Sequence, residues 1–215
     1  MDTMQEHRLL SILSDDPSMI LLIKNKYITE NMWKICIESE PSLFQYMKDP
    51  SEEMILFALK ENGANLDHVL KLENVKLTRK MMWTAVESYP AAIFSVPERF
   101  MDRPLIERAL DKDPSLMKQF KHLDHDYLLR KIKENPGVIQ YINNPSDDLI
   151  CEAILLNPNV CVYLKQLSPR MIALIWDRYP EIAAMLDTTN QSKPEKIKDV
   201  SEIYKAEEKT DGQSC

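Results

Sequence analysis

The stretch RKIKENPGVIQYINNPSDDLICEAILLNPNVCVYL, Arg130–Leu164, holds the pattern that decides the fold. Pro136 and Pro158 each follow an asparagine in it. The interval between them repeats outward, back to Pro114 and on to Pro180. Upstream, Pro90, Pro41 and Pro17 continue the series, and Gly63 stands where the next proline after Pro41 would fall. The upstream intervals equal the later ones or are slightly longer. A period that recurs in this way marks repeated structural units. The spacing predicts eight, at about 4–27, 28–50, 51–76, 77–100, 101–122, 123–145, 146–166 and 167–187.

Aligned on the proline, the columns explain themselves. Twelve positions before it stand Gln5, Thr29, Ser51, Thr78, Asp102, Asp124, Ser146 and Ser168. All but Gln5 are good helix N-caps, whose side-chain oxygen accepts from an otherwise unpaired N–H. The residue before the cap is mostly apolar and can meet an apolar residue five positions on, as Ile28 with Trp33 or Leu123 with Leu128. Apolar columns nine, eight, five and four positions before the proline line one face of an α-helix, broken in the ninth only by Arg8. This stripe predicts burial of Leu128, Ile132, Ile150, Ile154, Ile172 and Trp176.

The proline opens a second helix. Asp16, Asn62, Asp113, Asn135 and Asn157 precede it as caps, and a proline at the first helical position loses no needed N–H. The second helix is short, about two turns, with some copies 3₁₀. Each pair is too small to bury its own apolar face, and stacking identical pairs solves this. The expected fold is all-α: an α-solenoid of about eight short helix-pair repeats over 1–187, followed by a linker, short amphipathic helix and tail over 188–215. In that tail Ile197, Val200, Ile203 and Tyr204 share a helical face, suited to capping the array or to binding a partner.

Composition agrees. Glycine numbers only 3 among 215 residues, which disfavours tight hairpins and phosphate-cradling loops. Hydrophobic residues at 44% suffice for a core, and a net charge of −7 argues against a broad nucleic-acid or anionic-lipid surface. No apolar run approaches the roughly 18–20 residues that span a bilayer, and the start MDTMQEHRLL lacks a signal-peptide pattern. Cys36, Cys151, Cys161 and Cys215 form no CxxC pair and read as free thiols of the cytoplasm.

The copies RKIKENPGVIQYI (130–142) and EAILLNPNVCVYL (152–164) resemble a short helical-repeat family of bacteria, phages and large viruses. Leucine-rich-variant repeats share a similar period and Asn-Pro step, but the cysteine cluster tied to their iron–sulfur site has no counterpart here. The resemblance implies an α-solenoid with an interaction role. It also implies a bacteriophage or bacterial source, acting in the host cytoplasm if viral, as an inhibitor or redirector of a host protein.

Candidate chemistry is sparse. His122, Asp124, His125 and Asp126 are the one cluster with metal-ligand residue types, yet Asp124 fills the cap column. No catalytic triad arrangement, Walker motif or GxGxxG is present, so the expectation is a non-enzyme without cofactor or metal. Basic residues are dispersed and interrupted by acids, against a nucleic-acid groove. The expected partner is a protein, with self-association open and no membrane. An acidic mimic of, or groove for, nucleic acid and an enzyme with an unrecognised pocket are the rival readings. Candidate contacts are Tyr46, Tyr141 and Tyr163, which recur five positions after the proline, and Trp83, which sits where other units have Lys34 and Glu107. Leu155 and Leu156 join them: every other unit is polar at those two positions, as Lys133–Glu134 and Asp177–Arg178 show.

Overall fold

The computed structural model describes residues 3–164 and 167–186, and among them every regular element is helical. The α-helices are α1 (Thr3–Asp15), α2 (Glu30–Ser39), α3 (Glu52–Glu61), α4 (Leu66–Val69), α5 (Arg79–Ser88), α6 (Arg103–Lys112), α7 (His125–Glu134), α8 (Asp147–Leu156), α9 (Pro169–Arg178) and α10 (Pro180–Leu186). The expected helix at 197–204 lies outside the described residues.

Single side chains place the helix starts. Thr29, Ser51, Thr78, Asp102, Asp124 and Ser168 each accept the N–H three positions on, at 2.9–3.4 Å. Such a cap is worth about 1 kcal/mol against alanine. Gln5 is a correction: α1 begins at Thr3, so Gln5 lies inside the first turn. Glutamine is not a capping residue, and nothing in its chemistry stops the helix there.

The second element is tighter than a two-turn α-helix in six of the pairs; the third has Gly63–Asn65 as 3₁₀ running into α4, and the last has the α-helix α10. Pro17–Leu22, Pro41–Tyr46, Pro90–Ser95, Pro114–Gln119, Pro136–Tyr141 and Pro158–Tyr163 are all 3₁₀. Asp16, Asn62, Asp113, Asn135 and Asn157 accept the N–H two positions on, at 2.9–3.1 Å, which closes the turn onto the proline. Each of these runs is long for this geometry, whose bonds are poorer than α-helical ones. Packing must hold it, and the second and third residues after most of these prolines do so. Leu43 and Phe44, Ala92 and Ile93, Val138 and Ile139, and Val160 and Cys161 are all buried.

The chain forms two compact units, Met1–Leu116 and Met117–Cys215. In the first, α1 packs on α2, α2 on α3, α3 on α5 and α5 on α6. In the second, α7 packs on α8, α8 on α9, and α9 on α10. Polar bonds tie the same neighbours. Lys34 meets Glu53 at 2.6 Å, Arg108 and Lys112 both reach Glu87, and His125 meets Asp148 at 3.1 Å.

The helical stripe has two sides, and the first and last pairs show which is which. In α1, the first described helix, Ile12 is 45% exposed and Met19 just after it 36%, although Leu13 is fully buried. In most later pairs the Ile12 column is closed by Cys36, Ala58, Ala85, Ala109 or Ala153, all buried, while α7 holds the half-buried Lys131 there. That column therefore faces the preceding pair. In α9 the reverse holds: Met171 and Ile175 are buried, whereas Ile172 and Trp176 are only half-buried. This corrects the expected full burial of Ile172 and Trp176. Their column faces the following pair, and α9 is the last first-helix among the described residues.

Gly63 replaces the proline for a steric reason. An ideal Cβ there would lie 2.0 Å from the Ala85 carbonyl oxygen of α5. Ser88 of α5 donates to Leu59 O of α3 across the same contact. Two positions on, Asn65 occupies a column that is apolar in other pairs. It is buried, and its Nδ2 donates to Pro41 O and Ala58 O, both at 3.1 Å. Those bonds satisfy a polar group that burial would otherwise penalise.

Candidate functional site

The two leucines that break the polar column stand at the end of α8. Leu155 is 37% and Leu156 48% exposed. The helix turns them outward because its inward columns are filled by Leu149, Ile150, Ala153 and Ile154. The Tyr179 hydroxyl donates to the Leu155 carbonyl oxygen at 3.2 Å, so the backbone beside the pair is held by the start of α10. The following 3₁₀ helix adds Val162, 76% exposed, and Tyr163, 49% exposed. Asn157 caps the 3₁₀ helix through its side chain, whereas Ser146, expected as the cap of α8, holds that position without a side-chain cap bond; the four apolar side chains stand on this one helix pair.

The other candidates divide. Tyr141 lies on Pro136–Tyr141, which packs beside Pro158–Tyr163, so the two recurring tyrosines of this unit sit on neighbouring elements. Tyr141 is half-buried, with the Lys118 ammonium 5.0 Å from its ring centre, a cation–π contact. Tyr46 and Trp83 belong to the amino-terminal unit and are exposed there. The Arg79 guanidinium lies 5.8 Å from the Trp83 ring centre, and Arg79 also pairs with Asp102 at 2.6 Å. Sequence reasoning missed Val162, whose column mixes polar residues (Gln45, Asp67, Lys118, Gln140) with apolar ones (Leu21, Phe94, Ala184) and so gives no clear signal.

Titratable groups serve the scaffold. His125 of the expected histidine cluster is engaged with Asp148, whose carboxyl is held below its usual range by Ser146 first and by backbone N–H groups and His125 after it. His122 and His125 line a recess of about 210 Å³ with Phe120, Lys121, Asn143 and Asn144. Drug-sized ligands usually occupy about 300–1,000 Å³. No group of three His, Cys, Asp or Glu suited to a metal occurs among the described residues. Glu87 is held down to about 2 by the Arg108 and Lys112 hydrogen bonds. Burial pushes the Cys36 thiol up to about 11 and raises that of Cys161, which keeps both protonated and poorly nucleophilic. Burial, aided by Lys71, lowers the His68 pKa, and its ring stands edge-on to Phe44.

No helix among the described residues is long and apolar enough to cross a membrane. No family model, curated protein or solved structure matches the chain.

Proposed function

We propose that the chain is an α-solenoid of about eight helix-pair repeats that works by holding another protein, without catalysis. The carrying observation is the exposed apolar pair Leu155 and Leu156, at two columns that every other repeat keeps polar, with exposed Val162 and Tyr163 on the same repeat. Stacked repeats keep a common core and vary the outward columns, which is how such scaffolds acquire a specific binding face. Apolar and tyrosine side chains on a rigid support suit a contact with protein, since burying them needs no charge partner and little ordering. The net charge of −7 and the interrupted basic residues weigh against nucleic acid as the partner. On the resemblance to phage and bacterial repeats, the partner is a host protein that the chain inhibits or redirects in the cytoplasm.

The test is affinity capture from bacterial extract with the wild-type chain and with Leu155→Glu/Leu156→Lys. The double variant should keep its helical circular dichroism and lose the captured protein. A folded double variant that captures the same protein at the same yield refutes this binding face.

A further inference from the structure

The last turns of α7, α8 and α9 lie side by side, because α7 packs on α8 and α8 on α9. Two contacts tie these ends together. Lys133 of α7 stands 3.9 Å from Glu152 of α8, and the Tyr179 hydroxyl at the end of α9 donates to Leu155 O. The outward residues of the three last turns are Lys133–Glu134, Leu155–Leu156 and Asp177–Arg178, and all six are exposed. Only in α8 are both of these positions apolar. Across the three helices the order is plus–minus, apolar–apolar, minus–plus. The four outward charges cancel, so this face is locally neutral on a chain of net charge −7. Glu134 also meets Lys131 of its own helix at 2.5 Å, and that pair adds no net charge.

We propose that this face pairs with the same face of a second copy of the chain. A two-fold rotation about the line through the three helix ends lays each outward pair over its own copy in reverse order. Lys133 then meets Glu134 of the second copy, Leu155 meets Leu156, and Asp177 meets Arg178, so charges are opposite and leucines adjoin at every step. The alternative two-fold, along α8, lays Asp148 and Glu152 over their own copies, and facing like charges oppose it. Burial of two leucines from each copy drives the pairing, while the ion pairs set its register. An acidic chain repels its copy over most of its surface, and a neutral face is where two copies can approach. Three helix ends span about 20 Å, since packed helices lie 8–10 Å apart. That is the low end of protein interfaces, so the pairing is reversible and leaves the leucines available to another protein. The inference shares Leu155 and Leu156 with the proposed binding face but does not rest on capture. A monomer that still captures a protein refutes the pairing alone, and a dimer that captures nothing refutes the capture alone.

The test is sedimentation equilibrium of the pure full-length chain from micromolar to millimolar concentration. The mass should rise from that of one chain, 25.1 kDa, to that of two and no further. Leu155→Glu/Leu156→Glu should keep its helical circular dichroism and remain a single chain throughout. Lys133→Glu and Glu134→Lys, made singly, each set like charges together twice per dimer and should weaken pairing about tenfold. Lys133→Glu/Glu134→Lys exchanges the two charges, restores opposite signs across the axis and should recover most of that loss. A wild-type chain that stays single at every concentration overturns the proposal and needs no variant to fold. So does assembly beyond two copies, undiminished pairing in the leucine variant, or a double charge exchange that pairs no better than either single reversal.

Discussion

Replacing Gly63 with alanine would set a Cβ 2.0 Å from the Ala85 carbonyl oxygen, 2.8 Å from its carbon and 2.9 Å from Ser88 Oγ. No glycine among the described residues has a positive φ, so the cost is one of space and not of backbone conformation. Ordinary contact begins near 3.4 Å, so the shortfall far exceeds the few tenths of an ångström that a neighbour can yield. The methyl group fits only if α3 and α5 move apart. The obstacle is helical backbone, which cannot swing aside as a side chain can. Overpacking a tight site costs about 1–3 kcal/mol, and a rigid obstacle places this one at the top of that range. The separation also loosens the Ser88 hydrogen bond to Leu59 O, worth about 1 kcal/mol more. The expected destabilisation is therefore about 3–4 kcal/mol, or on the order of 10 °C in Tm for a chain of this size. Gly137→Ala is the control, because its Cβ meets only the Asn135 Oδ1 at 3.1 Å, an exposed capping side chain that need give by only a few tenths of an ångström while keeping its bond from Gly137 N. It should change stability by no more than about 0.5 kcal/mol. Urea unfolding of both variants reads the difference. Equal stabilities would refute the close approach of α3 and α5.

Two further outcomes follow from burial and charge. Ile154→Ala, at a fully buried site, should cost about 2–5 kcal/mol in urea unfolding, and Ile172→Ala, at a half-buried one, clearly less. Glu87 ionises near 2 when folded and near its ordinary 4.5 when unfolded. Its pairing with Arg108 and Lys112 therefore stabilises the fold above pH 4.5, and that contribution fades as the pH falls from 4.5 through 2. The cluster is partly exposed to solvent, which holds its worth below about 1 kcal/mol. An NMR titration should find the Glu87 carboxyl returned toward its ordinary value in Arg108→Ala.

The features legible from sequence are those that one residue performs alone. A Thr, Ser or Asp cap acts through its own oxygen, and an Asx-Pro step acts through its own ring and amide, so helix starts can be read column by column. Gln5 departs from this because it shares the column without the capping chemistry. The 3₁₀ form of the second helices depends on how closely each tucks under its neighbours, which no single column records. Its sign is present in the apolar pairs Leu43–Phe44, Val138–Ile139 and Val160–Cys161, but Asn65 obscures it by being buried through hydrogen bonds. Which side of the stripe faces forward is also hidden. Ile12 and Ile172 look alike in composition, and only the exposed ends of the packing separate them. Leu155 and Leu156 are legible because they break a polar column, and the structure leaves them in solvent. Val162 is hard to read because a single apolar residue beside a buried cysteine looks like core.

The most direct measurement is hydrogen exchange of the chain with and without the protein it captures. The account predicts slower exchange over 155–163, the span that bears Leu155, Leu156, Val162 and Tyr163, and no comparable change in the Leu155→Glu/Leu156→Lys variant. A captured protein that leaves 155–163 unchanged while protecting another stretch would contradict the proposed binding face.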